Sequence, residues 1–329
     1  MTISRRAVLA AAASAVVLSA CSSGSTTTQP SSSTGSATQY HIGISQIVTH
    51  TSLDEAREGF KAALSEAGLD VTYDEQNAQG DQATATAIAT TFASEDLDLV
   101  LAIATPTAQA SAQAISTTPI LFTAVTDPVA ADLVASLDAP GANVTGTTDL
   151  NPVADQIKLI KRVKPDATSV GIVYSSGEVN SEVQVKIAKE TAATEGLEVV
   201  ERTITSTAEV QQAVTSMDVD ALYVPTDNAV VSALDTVIAT AEERKIPVVA
   251  GEADSVRHGA LITYGIDYST LGHQTGEMAV RILTEGADPA SMPVESQTDL
   301  QLVVNEKAAA AMGIELPDDL LSEADEVVN

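Results

Sequence analysis

Two short segments, IGIS at 42–45 and VGIV at 170–173, open two stretches of the chain that follow one pattern. Each leads into a helical stretch with a similar end, EAGLDV at 66–71 and TEGLEV at 194–199, and in both pairs the glycines lie 128 positions apart. Two further pairs follow in the same order: TPILFTA at 118–124 with IPVVAGE at 246–252, and GANVTG at 141–146 with GALITY at 259–264. Four matches in one order indicate a duplicated α/β unit. Two such units predict two similar lobes, with a space between them that can enclose a ligand.

Strand-like apolar runs alternate with helical patterns through both units. This alternation predicts parallel sheets with helices on both faces, and the continuously apolar runs VLAIA and ALYV are typical of strands buried on both sides. The predicted strands lie at 41–47, 69–73, 97–104, 120–125, 144–147, 169–174, 197–203, 221–224, 248–250 and 261–264. The predicted helices lie at 53–67, 81–94, 106–116, 180–195, 208–216 and 229–244.

The last predicted elements have no counterpart in the first unit, and we expect them to cross back between the lobes. They are a helix at 271–285, a strand at 300–304 and a helix at 306–312. The predicted division gives lobe one residues 40–149 plus about 268–293, and lobe two residues 150–267 plus about 294–329. The sequence therefore predicts an α/β protein whose lobes are joined by about three strands, which is a natural hinge.

The N-terminal residues 1–20 are predicted to be a signal peptide. Arg5 and Arg6 precede an apolar stretch of about 14 residues, which is shorter than the roughly 20 of a membrane-spanning helix. SRRAVL also resembles a twin-arginine signal, so the export route stays open. The stretch ends in LSAC, where Cys21 is placed for lipidation, and residues 21–39 form the lipidated cysteine and a flexible tether. We expect a protein held by lipid at the extracytoplasmic face of the cell membrane.

Composition and motifs argue against catalysis and against nucleic acid. The formal net charge is −29, which makes nucleic acid a poor partner. The sequence contains no P-loop, no G-x-S-x-G elbow and no glycine-rich dinucleotide motif after the first strand. The four histidines are scattered, and we interpret His50 and His258 as ordinary surface or cleft residues. We expect neither an enzyme nor a metal or cofactor site, and the lack of Trp weakens a sugar-binding interpretation.

Ligands of open parallel sheets bind beyond the carboxyl ends of the strands, so the residues that follow each strand are candidates for binding. In lobe one, Thr105 is predicted to be the N-cap of a helix with Pro106 at its first position, and the exposed N–H groups there favour an anion such as a carboxylate. Simple capping without a ligand is the alternative for Thr105. The candidates in this lobe are Gln46, Thr105, Thr107, Thr126 and Asp127.

The equivalent turns of lobe two carry carboxylates and amides instead. The candidates are Asn180, Thr226, Asp227, Asn228, Glu252 and Asp254. A lobe that holds an anion and a lobe that holds a cation together suit a zwitterion, and hence an α-amino acid. For each carboxylate taken alone, a solvated loop residue remains the alternative.

The order of these motifs resembles the ABC transporter substrate-binding lipoproteins of the family that includes tryptophan- and phenylalanine-binding members. The resemblance runs from about residue 41 to 316. It implies the type I periplasmic-binding-protein fold, with two similar Rossmann-like lobes, parallel sheets and a multi-strand hinge. The motifs are LDEAREGFKAAL at 53–64, DEQNAQGDQATA at 74–85, AIATPTAQA at 102–110, ILFTAVTDPVAADLV at 120–134, NVTGTTD at 143–149, YVPTDNAVVSA at 223–233 and LGHQTGEMA at 271–279.

The resemblance implies a lipid-anchored, non-enzymatic receptor. Such a protein captures a small molecule between its lobes and delivers it to a membrane permease powered by a cytoplasmic ATPase. An aromatic or apolar amino acid is the expected ligand, and we expect a monomer. The alternatives are another solute (a nucleoside, a sugar or a peptide-like signal) and a sensory receptor subunit. A surface enzyme would need a nucleophile or metal in the cleft, and a transcription regulator would need an N-terminal DNA-binding helix pair.

Overall fold

A computed structural model describes residues 38–329; the predicted signal peptide, Cys21 and all but the last two residues of the predicted tether lie outside the described residues. The strands are β1 (Gln39–Gln46), β2 (Asp70–Asn77), β3 (Leu99–Ile103), β4 (Ile120–Val125), β5 (Val144–Thr148), β6 (Ser169–Ser175), β7 (Glu198–Ile204), β8 (Ala221–Val224), β9 (Val248–Ala250), β10 (Ile262–Gly265), β11 (Glu295–Ser296), β12 (Gln301–Asn305) and β13 (Glu326–Val328). The helices are α1 (Thr51–Glu66), α2 (Gln82–Phe92), α3 (Thr105–Ala114), α4 (Val153–Val163), α5 (Val179–Thr194), α6 (Val210–Thr215), α7 (Asn228–Val231), α8 (Leu234–Arg244), α9 (Ala253–Arg257), α10 (Tyr268–Glu285), α11 (Glu306–Met312) and α12 (Asp318–Glu323). Short 3-10 helices lie at Thr207–Glu209 and Pro289–Ser291.

The strands form two separate sheets. The first has the order β11-β5-β4-β3-β1-β2 with parallel pairings throughout. The second has the order β13-β12-β10-β9-β8-β6-β7, in which β12 runs antiparallel to β10. The order β2-β1-β3-β4-β5 of the first sheet is repeated as β7-β6-β8-β9-β10 in the second, as a duplicated unit requires. The predicted α/β fold class is confirmed, and lobe one and lobe two below mean the first and the second sheet with their helices.

The chain passes between the two sheets three times, after β5, after β10 and after β11. Hydrogen bonds tie the crossing segments to one another. The backbone N–H of Ile266 donates to Asn151 Oδ1 over 3.1 Å, and Gln297 Nε2 donates to the backbone oxygen of Asp267 over 2.7 Å. The three crossings therefore form one connected hinge.

Glycines let α10 pack closely on α1, although α10 follows lobe two in the sequence. A Cβ at Gly272 would lie 1.8 Å from the backbone oxygen of Ala56, and a Cβ at Gly59 would lie 2.1 Å from that of Ser269. Neither position has room for a side chain. This packing ties the second hinge crossing, where α10 begins, to the first helix of lobe one.

The structure corrects three local predictions. Helix α4 was not predicted, although its buried residues Val153, Ile157, Ile160 and Val163 recur at helical spacing. The single helix predicted at 229–244 is two helices, α7 and α8, separated at Ser232 and Ala233. The N-cap of α3 is Ala104, in the left-handed region with φ 82, rather than the predicted Thr105.

Candidate ligand-binding site

Two adjoining cavities are lined by residues from both lobes. The larger has a volume of about 170 Å³. The smaller has about 20 Å³, room for roughly one water molecule. His50, Ser52, Val231 and Glu252 line both cavities. Lobe one and the hinge supply Leu53, Ala124, Asp149 and Tyr268 to the smaller cavity, and lobe two supplies Asn180, Thr226 and Asn228. Asp235, Asp254 and His258 are among the residues that line only the larger cavity.

The first helix of lobe one, α1, begins at these cavities without a side-chain cap. His50 is its N-cap residue, and the His50 side chain makes no capping hydrogen bond. The hydroxyl of Ser52, two residues after His50, is buried and has no hydrogen-bond partner among the described residues. The first N–H groups of a helix lack acceptors within the helix and lie at the positive end of its dipole. The start of α1 is therefore suited to an anionic group such as a carboxylate.

The His50 ring is neutral at physiological pH. Burial lowers the pKa of His50 to about 4, and the neighbouring Asn228 and Asp54 offset this only in part. The ring Nδ1 atom is buried and has no hydrogen-bond partner within the described part of the chain. The N-cap position of α1 therefore carries no carboxylate, and Asp54, the acidic residue of its first turn, is paired with Gln46 and Arg57.

On the lobe-two side, Glu252 lines both cavities, and its carboxylate caps α9. It accepts hydrogen bonds from the backbone N–H groups of Asp254 (2.6 Å) and Ser255 (2.9 Å), and also from the Ser255 hydroxyl. Burial, and then the negative charge of Asp254, raise the pKa of Glu252 to about 7. A cation that enters the cavity would therefore stabilise the ionised form of Glu252.

Asn180, at the start of α5, presents an unpartnered acceptor. Its Nδ2 group donates to Glu178 Oε2 over 2.9 Å and to the backbone oxygen of Thr226 over 3.1 Å. Its Oδ1 atom is buried and has no hydrogen-bond partner among residues 38–329. Because Asn180 lines the smaller cavity, this oxygen is available to a donor group on a ligand.

Asp149 and Tyr268 bring the hinge into the smaller cavity. Tyr268 donates its hydroxyl to Asp149 Oδ2 over 2.6 Å, and Thr126 donates to Asp149 Oδ1 over 3.0 Å. Burial raises the pKa of Asp149, while these two hydrogen bonds act in the opposite direction. The carboxyl group sits at the first crossing and the tyrosine at the second, so the same hydrogen bond contributes to both the hinge and the cavity wall.

The structure brings together part of the predicted set of binding residues. Asn180, Thr226, Asn228 and Glu252 line the smaller cavity, and Glu252 and Asp254 line the larger. The remaining predicted residues line neither cavity: Gln46, Thr105, Thr107, Thr126, Asp127 and Asp227.

These six residues have other surroundings. The polar side-chain atoms of Gln46, Thr107 and Asp127 are bonded to groups within lobe one. Asp227 caps α7 and accepts from the Ser175 N–H (2.6 Å) and the Ser181 hydroxyl (2.7 Å). Thr126 reaches the cavity only through Asp149, and the Thr105 hydroxyl is buried with no partner within the described residues. A direct role in binding for these six stays a prediction.

Sequence reasoning missed His50, Ser52, Asp149 and Tyr268. Asp149 directly follows β5, so the rule that ligands lie beyond strand ends could have found it. His50 and Ser52 sit 128 positions before Glu178 and Asn180, and the repeat itself was a signal for them. Tyr268 had no local signal, because its position depends on the path of the hinge.

Two further observations concern the described residues alone. Within residues 38–329, no cluster of three or more histidine, cysteine or acidic side chains is arranged to bind a metal ion. No helix in this range combines the length and apolar character of a transmembrane segment.

Comparison with known proteins identifies the family. The sequence profile described as "ABC transporter substrate binding protein" matches residues 41–328. The chain belongs to this family. It is therefore a substrate-binding protein of the ABC transporter class, which places it outside the cytoplasm, and its family is one of solute-binding proteins rather than enzymes. The resemblance inferred from the sequence motifs is confirmed.

Similar proteins include amino-acid binders. A tyrosine-binding protein of Clostridioides difficile (strain R20291) is 42% identical over 288 residues, which cover 86% of this chain and 83% of the relative. The crystal structure of an ABC domain from Streptococcus pneumonia in complex with L-Trp has a TM-score of 0.85 at 38% identity, covering 88% of this chain and 100% of the other. The ligand-free, open structure of a substrate-binding protein with adhesive properties from Clostridium difficile has a TM-score of 0.66 at 45% identity, covering 88% and 99%.

The two structural comparisons differ in how similar each protein is to this one. The open, ligand-free protein is more similar in sequence but less similar in structure than the protein that contains L-Trp. Sequence divergence alone would give the opposite order. The described structure is therefore more similar to the protein that contains L-Trp than to the open, ligand-free protein.

Proposed function

We propose that the protein captures an amino acid with an aromatic or apolar side chain between its lobes and delivers it to an ABC permease. The observation that carries this proposal is the opposite polarity of the two walls of the smaller cavity. Lobe one offers the uncapped start of α1 with the free Ser52 hydroxyl, and lobe two offers Glu252 and the free Asn180 oxygen. A zwitterion fits such a pair of walls, with one charged group against each.

In this arrangement the ligand carboxylate accepts hydrogen bonds from the first N–H groups of α1 and from Ser52. The ammonium group donates to Asn180 Oδ1 and lies against the carboxylates of Glu252 and Asp149, all of which line the smaller cavity. Charge-assisted hydrogen bonds of this kind are about twice as strong as neutral ones. Ligand capture needs the lobes to separate, since the smaller cavity holds roughly one water molecule.

An apolar side chain suits the rest of the lining. Leu53, Val231 and the Tyr268 ring contribute to the smaller cavity, and the larger cavity adjoins it through Val231. Two similar proteins, one described as a tyrosine-binding protein and one solved in complex with L-Trp, also favour an aromatic ligand. These observations support an aromatic amino acid over a sugar.

Calorimetric titration of the mature protein with the twenty amino acids tests the proposal. We expect an aromatic amino acid to bind, and we expect Ser52→Ala to weaken that binding by about tenfold, as for loss of one hydrogen bond to a charged group. The exposed Ser94, which lies outside both cavities, provides a matched control as Ser94→Ala. Binding of a sugar or nucleoside, with no amino acid bound, would refute the proposal.

We further propose the anchor, the partner and the division into lobes. Cleavage before Cys21 and lipidation of its thiol would tether the body by residues 22–39 to a membrane that contains the permease. Lobe one would comprise residues 40–149 plus about 268–293, extended by β11 of the first sheet, and lobe two would comprise residues 150–267 and the chain after β11. Mass spectrometry of the membrane fraction tests the anchor: wild type should carry a diacylglycerol on Cys21, and Cys21→Ser should leave the membrane. A wild-type protein with an unmodified Cys21 would contradict it.

A further inference from the structure

Glu178 lies behind the lobe-two wall of the smaller cavity and does not line it. It is partly buried at the N-cap of α5, yet its side chain does not cap that helix. One oxygen, Oε2, accepts hydrogen bonds from Asn180 Nδ2 (2.9 Å), Asn228 Nδ2 (2.6 Å) and the backbone N–H of Asn228 (3.3 Å). A single carboxylate oxygen therefore joins the two asparagines that form this wall.

An ionised carboxylate fixes which way each amide faces. A carboxylate can only accept hydrogen bonds, whereas an asparagine side chain has a donor end and an acceptor end. Both amides must therefore direct their Nδ2 groups to Glu178, which turns their oxygens away from it. Asn180 and Asn228 both line the cavity, and the Asn180 oxygen is buried without a partner in the described chain. A wall of two neutral amides thus becomes a wall of acceptors.

The two asparagines depend on Glu178 to different extents. Asn180 Nδ2 also donates to the backbone oxygen of Thr226 over 3.1 Å. Asn228 Nδ2 has Glu178 as its one hydrogen-bond acceptor within residues 38–329. Loss of the Glu178 carboxylate would therefore release Asn228 first, and its amide could then rotate to present a donor to the ligand.

We propose that Glu178 is a positioning residue that selects ligands carrying an ammonium group, by holding the oxygens of Asn180 and Asn228 toward the cavity. This inference rests on the proposed function, because it assigns the ammonium of the amino acid to that wall. A protonated Glu178 has a donor of its own and is a weaker acceptor than the carboxylate, so it holds the two amides less firmly in this orientation. Protonation of Glu178 therefore weakens the preference of the wall for presenting acceptors.

The surroundings of Glu178 make that proton relevant at physiological pH. Burial, and then the negative charge of Asp227, raise the pKa of Glu178 to about 7, against the opposing hydrogen bonds of the two asparagines. Asp227 is the charged neighbour that faces Glu178, and Glu252 lines the same cavity with its own raised pKa. Glu252 also titrates near pH 7. A comparison of variants is therefore needed to separate the pH dependence of binding that is due to Glu178 from that due to Glu252.

The test compares a ligand with and without its amino group. L-tyrosine and deamino-tyrosine form one pair of probes, and L-tryptophan and deamino-tryptophan form a second. We expect Glu178→Met to weaken binding of the amino acid by about tenfold, as for the loss of a hydrogen bond to a charged group, and to leave binding of its deamino counterpart within about twofold. Glu182→Met, at an exposed position of the same helix, should change neither affinity.

Glu178→Gln keeps the inference testable should the Met variant not fold. It keeps one acceptor oxygen and removes the titrating proton. We expect a smaller selective loss, about threefold, and a weaker decline of amino-acid affinity between pH 8 and pH 6 than in wild type. Equal losses for the amino acid and its deamino counterpart in every folded variant would overturn the inference and leave the proposed function standing. No binding of either amino acid to wild type would instead overturn the proposed function.

Discussion

Equivalent positions of the two repeats carry opposite chemistry at the ligand cavity. His50 and Glu178 are the N-cap residues of α1 and α5, two helices of 16 residues that begin 128 positions apart. The same spacing relates Ser52, with its free hydroxyl, to Asn180, with its free oxygen. It also relates Ala124 to Glu252, and both of these line the smaller cavity.

The difference shows how a duplicated fold becomes asymmetric without changing its backbone plan. In lobe one a neutral histidine and a small alanine stand where lobe two has two carboxylates. The positive end of α1 is left open to an anion, whereas lobe two holds negative charge close to the equivalent place. Substitutions at two or three equivalent positions are enough to turn two similar walls into a donor wall and an acceptor wall.

Giving lobe one the residue of lobe two should produce the largest effect. His50→Glu would place a carboxylate at the start of α1, where the ligand carboxylate is expected, and a like charge across an interface costs several kcal/mol. We expect amino-acid affinity to fall by about 100-fold or more in calorimetry. His50→Gln, of similar shape and without charge, should lose far less. Equal losses in the two variants would show that charge at this position does not set the polarity of the wall.

The carboxylates of lobe two should make the protein more stable at mildly acidic pH. Burial raises the pKa values of Glu178 and Glu252 to about 7 from an ordinary 4.5, so the folded chain binds more protons than the unfolded chain between these values. The free energy of unfolding therefore falls as pH rises through that window. His50, with a pKa lowered to about 4 from 6.5, acts in the opposite direction, but only below about pH 6.5.

We accordingly expect the melting temperature to rise by roughly 2–6 °C from pH 8 to pH 6.5, which corresponds to one or two kcal/mol. Glu252→Gln should reduce this rise, since it removes one of the groups whose pKa is raised to about 7. Glu182→Gln removes an exposed charge from lobe two and controls for the general relief of repulsion in an acidic protein. A melting temperature that falls between pH 8 and pH 6.5 would contradict the assignment.

The sheet order and most strand bounds could be predicted because the strands are short apolar runs between clear turn residues. The bounds of β4, β8 and β9 agree residue for residue with the prediction. The break between α7 and α8 was not predictable in the same way, since AVVSALDTV contains neither glycine nor proline. The left-handed backbone of Ala104 likewise has no signal in its residue type, since a non-glycine residue rarely takes a φ of 82.

The candidate site was predictable on the side where its residues follow strands and have polar or charged side chains. Asn180, Thr226, Asn228 and Glu252 met both conditions. The lobe-one side of the site could not be predicted in this way. It consists of a helix start without a side-chain cap and of Ser52, whose sequence context is not unusual. The missing cap can be recognised as part of a binding site only when the structure shows that the helix start faces the other lobe.

The smallest expected effect concerns a contact at the edge of the two lobes. Glu55, half-buried on α1, faces Asp254 on α9, and burial followed by the charge of Asp254 raises the pKa of Glu55 to about 7. Asp254 Oδ1 accepts from Arg257 over 2.7 Å, whereas its Oδ2 is buried without a partner in the described chain. A protonated Glu55 supplies the donor that Oδ2 lacks, so closure of the lobes should take up a proton.

Glu55→Gln supplies a permanent donor at this edge and removes the repulsion that opposes closure at high pH. Its contribution to ligand affinity should therefore be largest above pH 7: we expect about a twofold gain at pH 8, as for a partly exposed charge pair, and no gain at pH 6. Glu58→Gln, on the same helix and exposed, pairs only with Arg57 and Lys61 of lobe one among the described residues and should show no such pH dependence. A gain of the same size at both pH values would mean that Glu55→Gln changes the stability of α1 rather than closure of the lobes. Only a contact made between the lobes on closure links protonation of Glu55 to ligand affinity.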